Sequence, residues 1–135
     1  MPRPVRRRRM NNPPCFRGYK PIEASGIRAP VLLNYDEYES IRLSDYELLD
    51  HVAASVLMSI SRPTFTRIYE SARRKIAQAI VTGAPIIFEG GKVYFDSEWF
   101  LCNSCGCYFN HLHRDRPAER CSLCNSDKIE QYSNK

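Results

Sequence analysis

Four of the six cysteines form two Cys-x-x-Cys pairs, a spacing that lets two sulfurs bind one metal ion. The pairs are Cys102 with Cys105 and Cys121 with Cys124, and fifteen residues separate them. This interval lies within the Cys-x2-Cys-x15–20-Cys-x2-Cys pattern of four-cysteine zinc sites. Four thiolates complete the tetrahedral coordination of Zn(II) and leave no position for a catalytic water. The spacing therefore predicts a structural zinc site with these four ligands.

The residue after each pair supports this ligand set. A Cys-x-x-Cys knuckle turns its backbone N–H groups toward the sulfurs, and the next residue often takes a left-handed conformation. Gly106 follows the first pair and Asn125 follows the second. Glycine and asparagine are the residues that adopt this conformation most readily. Two matching knuckles are therefore expected.

Other candidate ligands lie beside the first knuckle. Cys107, His111 or His113 could replace one knuckle cysteine. A four-thiolate site also accepts iron or, with rearranged ligands, an iron–sulfur cluster, so the cofactor is expected to be Zn(II) with iron as the alternative. Cys15, in the N-terminal segment, is expected to be a free thiol rather than a ligand.

Three helices are expected between the N-terminal segment and the cysteines. Asn34, with Glu37 three residues later, predicts the start of helix one, in which Tyr38, Ile41 and Leu48 recur at helical spacing. Asp50 predicts the cap of a short second helix. Ser61 predicts the cap of the third helix, which Gly83 ends, and Pro63 is tolerated in its first turn. Two short strands are predicted at 85–88 and 92–95.

These elements indicate a mainly α protein, with a trihelical helix-turn-helix domain and a small β zinc-ribbon-like C-terminal domain. The expected boundaries are 1–30 for an extended basic arm, 31–84 for the helix-turn-helix domain and 85–135 for the strands and the four-cysteine domain. The alternative is a three-helix core whose polar residues simply face water. In the turn before the third helix, Ser59 occupies the position where glycine is usual, at a cost of about 1 kcal/mol if its backbone is left-handed.

The third helix carries the residue types that contact DNA. In a helix-turn-helix its N-terminal end enters the major groove, where arginine can bind guanine through two hydrogen bonds. The DNA-binding residues expected at this end are Ser61, Arg62, Thr64, Thr66 and Arg67, of which Arg62 and Arg67 are expected to bind guanine. Those expected to contact phosphates are Arg73 and Arg74, together with Lys75. Acidic residues on helix one are expected to form a surface that faces away from DNA, namely Asp36, Glu37, Glu39, Asp45 and Glu47.

The arm is expected to be disordered when free and to bind the DNA backbone or a narrow A·T-rich minor groove. It contains five arginines, Arg3, Arg6, Arg7, Arg8 and Arg9. The alternatives are a solvated tail, or a segment that binds RNA or acidic proteins.

Several sequence blocks also resemble a known family. They are "MPRP" at the start, "YKP" at 19–21, "DEYESIRLSD" at 36–45, "SRPTFTRIYESARRKIAQAI" at 61–80 and "FEGG" at 88–91. Together they are similar to a family of small prokaryotic proteins of unknown function whose members are predicted to bind DNA through a helix-turn-helix like that of sigma factor region 4. The resemblance covers about residues 1–91 and implies a DNA-binding regulator.

The composition and net charge limit the classes of function that this protein could have. The formal net charge of +5 favours polyanionic partners, and no apolar run suits an export signal or a membrane span. The sequence contains no glycine-rich loop of the kind that binds phosphate and no serine, histidine and acid set suggestive of a catalytic triad, so an enzyme is not expected. We expect a cytoplasmic transcriptional regulator that binds double-stranded DNA sequence-specifically, as a homodimer. The alternative is a rubredoxin-like iron protein or a redox sensor whose helical part docks a protein partner.

Overall fold

A computed structural model describes residues 7–23, 26, 28–95, 99–111 and 116–132. The helices are α1 (Tyr35–Ile41), α2 (His51–Leu57) and α3 (Arg62–Thr82), and a π-helical turn, Arg42–Tyr46, continues α1. The strands are β1 (Arg8–Arg9), β2 (Gly18–Tyr19), β3 (Val31–Leu33), β4 (Ile86–Phe88), β5 (Val93–Tyr94), β6 (Trp99–Cys102), β7 (Tyr108–Asn110) and β8 (Ile129–Tyr132).

The helix termini predicted from the sequence are confirmed. The Glu37 carboxylate accepts the backbone N–H of the N-cap Asn34 at 2.9 Å. Asp50 caps α2 by accepting the N–H of Ala53 at 2.8 Å, and Ser61 caps α3 by accepting the N–H of Thr64 at 3.3 Å. Helix α3 ends at Gly83, whose φ of 72° is left-handed. Each of these signals depends on residues within four positions of one another.

The strands form three small sheets. In the first, β1 pairs in parallel with β5. In the second, β4 pairs antiparallel with β2 and parallel with β3. In the third, β6 lies between β7 and β8 and is antiparallel to both, and this sheet carries the cysteine pairs. At Gly18 a Cβ atom would lie 1.9 Å from the carbonyl oxygen of Ile86, so the close approach of β2 and β4 requires glycine.

The predicted fold class was wrong, because the protein is a mixture of helix and sheet rather than mainly α. About 34% of the described residues are helical and about 20% lie in strands. The helices do not form a self-contained trihelical domain. Strands β2 and β3 come from the expected arm and from the start of the expected helical domain, and with β4 they form a sheet that supplies part of the helical core.

Helix α3 contributes to two separate hydrophobic cores. Its first half buries Phe65 against Leu43 of the π-helical turn and Met58 after α2. Its second half buries Ala72 with Leu33 of β3 and Phe88 of β4. Helix α1 and the sheet therefore both pack against the C-terminal half of α3, while α2 packs against its N-terminal half.

The π-helical turn corrects the prediction for helix one. It inserts an extra residue into the helical repeat, so the side chains that follow it no longer share the face of Tyr38 and Ile41. Leu48, expected on that apolar face, lies in the α1–α2 connection with a φ of 62° and is 81% exposed.

The acidic surface expected on helix one is also absent as a continuous face in the described structure. Asp36, Glu37 and Glu39 are each at most 7% exposed. Glu37 accepts hydrogen bonds from the Lys75 ammonium at 2.7 Å and the Ser71 hydroxyl at 2.5 Å. These carboxylates hold the fold together and are not presented to solvent.

The N-terminal segment packs into the molecule in its described part. Met10, Asn11 and Asn12 are at most 5% exposed, although the sequence predicted a free arm. The Asn11 N–H donates to the Glu39 carboxylate at 2.5 Å, and the Arg42 guanidinium donates to the Asn11 side-chain oxygen at 3.0 Å. Residues 8–12 thus lie between the helices and the cysteine-bearing sheet. Among the described helices, none is long and apolar enough to cross a membrane.

Candidate metal centre and nucleic-acid interface

The four knuckle cysteines converge on one point. The sulfurs of Cys102, Cys105, Cys121 and Cys124 all lie within 4.8 Å of one another. The Sγ–Sγ distance is 3.6 Å between Cys102 and Cys124 and 3.8 Å between Cys105 and Cys121. In a regular tetrahedron with metal–sulfur bonds of about 2.3 Å, the sulfurs would be about 3.8 Å apart. The donor set therefore fits one tetrahedral metal ion, although this geometry suits iron as well as zinc.

The two knuckles have the same backbone pattern. The Gly106 N–H donates to the Cys102 carbonyl at 2.9 Å, and the Asn125 N–H donates to the Cys121 carbonyl at 3.0 Å. Gly106 and Asn125 have φ angles of 77° and 63°, which confirms the predicted left-handed conformations. Two equivalent turns therefore present the sulfurs from opposite sides.

Backbone amides point at the sulfurs and favour thiolates. The N–H of Cys105 donates to the Cys102 sulfur at 3.5 Å, and this contact lowers the pKa of the Cys102 thiol to about 7. The Cys121 sulfur accepts the N–H groups of Leu123 at 3.3 Å and Cys124 at 3.5 Å, but burial is the stronger effect and raises the pKa of the Cys121 thiol. A bound cation offsets such a desolvation cost because it interacts directly with the thiolates.

The remaining cysteines and histidines lie outside this cluster in the described structure. Cys15 and Cys107 form a disulfide, so the prediction that Cys15 is a free thiol was wrong. The His111 ring nitrogen Nε2 lies 2.9 Å from the Arg116 carbonyl oxygen, and the ring packs edge-on against Phe100. His113 lies outside the described residues. No local sequence pattern indicates this disulfide, because its cysteines are 92 positions apart.

The N-terminal end of α3 is exposed and basic. Ser61, Arg62 and Arg67 are exposed, and the first turn of the helix contains no acidic residue. Thr64 is half-buried, and its hydroxyl oxygen accepts a hydrogen bond from the Arg67 guanidinium at 3.2 Å. Thr66 is also half-buried and forms a 2.9 Å hydrogen bond with the His51 ring, so its hydroxyl is less accessible than expected.

Farther along α3, the predicted phosphate contacts divide into two groups. Arg73 and Arg74 are exposed, and the Arg73 guanidinium lies 5.5 Å from the centre of the Tyr69 ring. Lys75 points inward to its ion pair with Glu37. The helix therefore offers the two arginines, and not the lysine, to a partner.

In the described part of the basic arm, Arg9 lies beside the turn that precedes α3. The Arg9 backbone N–H donates to the Met58 carbonyl at 2.9 Å, and its guanidinium donates to the Leu57 carbonyl at 2.7 Å. Arg8 lies 3.7 Å from the Asp36 carboxylate, and Arg7 is exposed. Arg3 and Arg6 lie outside the described residues. Internal contacts thus engage Arg8 and Arg9, which sequence reasoning had assigned to phosphates.

Sequence reasoning missed the residues that join the cysteine-bearing sheet to the rest of the chain. The Ser122 hydroxyl, within the second knuckle, donates to the Asn12 side-chain oxygen at 2.7 Å. The Tyr46 hydroxyl donates to the Leu123 carbonyl at 2.9 Å. The Asn110 N–H donates to the Asn11 carbonyl at 2.8 Å. No local sequence signal indicates the burial of Asn11 and Asn12, because their partners lie 28 to 110 positions away.

Comparison with known proteins identifies relatives without a described activity. Residues 1–96 match the model of a family described as "Protein of unknown function DUF134". The chain is 38% identical over 134 residues to a UPF0251 protein of Chloroherpeton thalassium, covering 96% of this chain and 86% of that protein. It is 39% identical over 133 residues to a UPF0251 protein of Methanothermobacter thermautotrophicus, covering 98% of this chain and 69% of the relative. No solved structure matches.

Proposed function

Because the chain belongs to the DUF134 family, whose function is unknown, we propose its activity from the site itself: sequence-specific binding of double-stranded DNA in transcriptional regulation. The observation that carries this proposal is the exposed, basic N-terminal end of α3, held at its base by α2 and the intervening turn. A helix end of this kind fits the major groove, and its free N–H groups and partial positive charge favour phosphate oxygens.

The side chains of α3 divide by position into two roles. Arg62 and Arg67, near the N-terminus, are suited to guanine edges, and each good pair contributes about 1–3 kcal/mol of discrimination. Arg73 and Arg74 lie two to three turns later, where contacts go to phosphates and carry no sequence information. The turn itself supports close approach to DNA, because Ser59 and Ser61 are small and exposed.

The arm adds a second basic contact. Arg9 is hydrogen-bonded to the end of α2, and Arg8 pairs with Val93 of β5. Arg7 is exposed beside Gly91, Lys92 and Val93, and Arg3 and Arg6 precede it in the chain. We propose that these three arginines contact the backbone or the adjacent minor groove, while Arg8 and Arg9 anchor the arm to the protein.

We further propose that the four-cysteine centre binds Zn(II) and has a structural role. Four protein ligands close a tetrahedral site, and no coordination position is left for a substrate. In this proposal catalysis is absent, and a homodimer places two recognition helices on a two-fold symmetric DNA site.

Selection from a random pool of duplexes, followed by affinity measurements on the selected and a scrambled duplex at two salt concentrations, tests the DNA proposal. Arg62→Ala and Arg67→Ala should reduce the preference for the selected duplex by about 5- to 150-fold. Arg73→Ala and Arg74→Ala should weaken binding to both duplexes equally and lower the salt slope by about 0.9 each. Lys128→Ala makes the same charge change at an exposed position directly before β8, and it should alter neither the preference nor the salt slope.

Metal analysis and an absorption spectrum of the same preparation test the centre. A colourless protein with one zinc per chain that selects a duplex supports both proposals. A coloured iron protein with no duplex preference would refute them and favour a rubredoxin-like redox protein instead, because the sulfur geometry accepts either metal.

A further inference from the structure

We propose that Cys15 and Cys107 form a reversible redox site, separate from the metal centre, that locks the N-terminal segment onto the cysteine-bearing sheet. The two residues are joined as a disulfide, with their Cα atoms 5.5 Å apart. This inference does not depend on the proposed DNA binding, because it concerns how two parts of the chain are held together.

Noncovalent contacts bring the two cysteines together whether or not they are oxidised. Asn11 and Asn110 are hydrogen-bonded through their backbones at 2.8 Å, and the Asn11 side-chain amide also donates to the Asn110 carbonyl. Asn12 accepts the Ser122 hydroxyl at 2.7 Å. These contacts lie within a few residues of both cysteines, so the reduced thiols remain at high effective concentration.

The redox site and the metal centre use different sulfurs. The cluster that fits a metal ion contains Cys102, Cys105, Cys121 and Cys124, and Cys107 is not a member. Cys107 contacts the first knuckle through its backbone, where its carbonyl accepts the Cys102 N–H at 3.0 Å. Oxidation of Cys15 and Cys107 therefore removes no ligand from the metal centre.

The exposure of the two residues sets the order of the chemical steps. Cys15 is exposed, whereas Cys107 is 6% exposed. The Cys15 thiolate attacks one sulfur of a low-molecular-weight disulfide, which forms a mixed disulfide and releases one thiol. Cys107 loses its proton to solvent and attacks the Cys15 sulfur, and the second small thiol leaves with a proton from solvent. The protein loses two electrons and two protons, and the small disulfide gains them as it becomes two thiols.

The disulfide adds a covalent link to a junction that also contains hydrogen bonds. Among the described residues, Asn11 is hydrogen-bonded to Asn110, Asn12 to Ser122, and the Tyr46 hydroxyl to the Leu123 carbonyl. Oxidation should therefore suppress local opening between the N-terminal segment and the sheet, whereas reduction should permit it. The site thus couples the thiol–disulfide balance of the surroundings to the mobility of the sheet.

Mapping of the cysteines in the metal-loaded full chain tests the chemistry. The protein is reduced, treated with oxidised glutathione, and its free thiols are alkylated after denaturation and metal removal. We expect a Cys15–Cys107 cross-link, four alkylated knuckle cysteines and an unchanged metal content before denaturation. A stable glutathione adduct on Cys15 without the cross-link, or a cross-link to a knuckle cysteine, would overturn the proposal.

Hydrogen exchange of the oxidised and reduced proteins tests the consequence. We expect slower amide exchange in residues 99–110 of the oxidised protein. In Cys15→Ser, which changes an exposed residue and leaves the metal ligands intact, the two redox conditions should give the same exchange. An equal difference in Cys15→Ser and the wild type would assign the effect to the metal centre and refute the lock.

Discussion

Replacing Arg42 with Met should destabilise the protein strongly, because Arg42 neutralises a buried carboxylate. The side chains of Arg42 and Glu39 are 5% and 2% exposed, and the guanidinium Nε lies 2.5 Å from the carboxylate Oε1. The guanidinium also donates to Glu47 at 3.3 Å and to Asn11 at 3.0 Å. Methionine retains most of the apolar stem but removes every one of these donors.

The expected loss in the free energy of unfolding is about 3–5 kcal/mol, the range for removing one partner of a buried ion pair. Glu39→Gln should cost less, about 1–3 kcal/mol, because Glu47 and Asn11 still accept hydrogen bonds from the guanidinium. The double variant Glu39→Met with Arg42→Met removes both charges of the pair, so its loss should be smaller than the sum of the losses of Glu39→Met alone and Arg42→Met alone.

Urea unfolding of the metal-loaded protein, followed by circular dichroism, measures these differences. Arg74→Met is the matched control, since it makes the same change at an exposed position of α3 and should shift the unfolding free energy by no more than about 0.5 kcal/mol. A loss below about 1 kcal/mol for Arg42→Met, or strict additivity of Glu39→Met and Arg42→Met, would contradict the role assigned to this ion pair.

Three further predictions concern backbone geometry and pH. Ser59→Gly should raise the free energy of unfolding by up to about 1 kcal/mol, measured by urea titration, because Ser59 has a φ of 58° and is exposed. Gly18→Ala should lower it by about 1–3 kcal/mol, since the added Cβ would clash with the Ile86 carbonyl; no loss would contradict the observed strand pairing. Burial raises the pKa of Asp36 above its usual 3.8, although Arg8 opposes the shift. The stability contributed by protonated Asp36 is therefore lost as pH rises through the folded-state pKa. Asp36→Asn should accordingly gain stability relative to the wild type as pH increases from about 4. A relative gain on acidification would contradict this prediction.

The features that the sequence predicted correctly are local ones. The caps at Asn34, Asp50 and Ser61 and the left-handed residues Gly106 and Asn125 depend on neighbours within a few positions. The convergence of the four cysteines follows from their spacing because one metal ion must satisfy both pairs.

The features that the sequence did not predict depend on distant partners. Strands of two or three residues are too short for an alternating pattern, so β1, β2 and β3 were not predicted. Without these strands, the three helices were expected to form a core by themselves. The burial of Asn11 depends on Glu39 and Asn110, which are 28 and 99 positions away. Charge alone likewise could not show that Arg9 binds a helix terminus rather than a phosphate.

The position of residues 8–12 also determines when the protein can finish folding during synthesis. These residues are translated before their partners, since β1 pairs with β5, Asn11 contacts Asn110, and Asn12 contacts Ser122. The helices can begin to pack while the chain is still being made, but the N-terminal segment must wait for its partners to be translated. Residues 8–12 therefore reach their native positions only after the much later residues 93–122 have been translated.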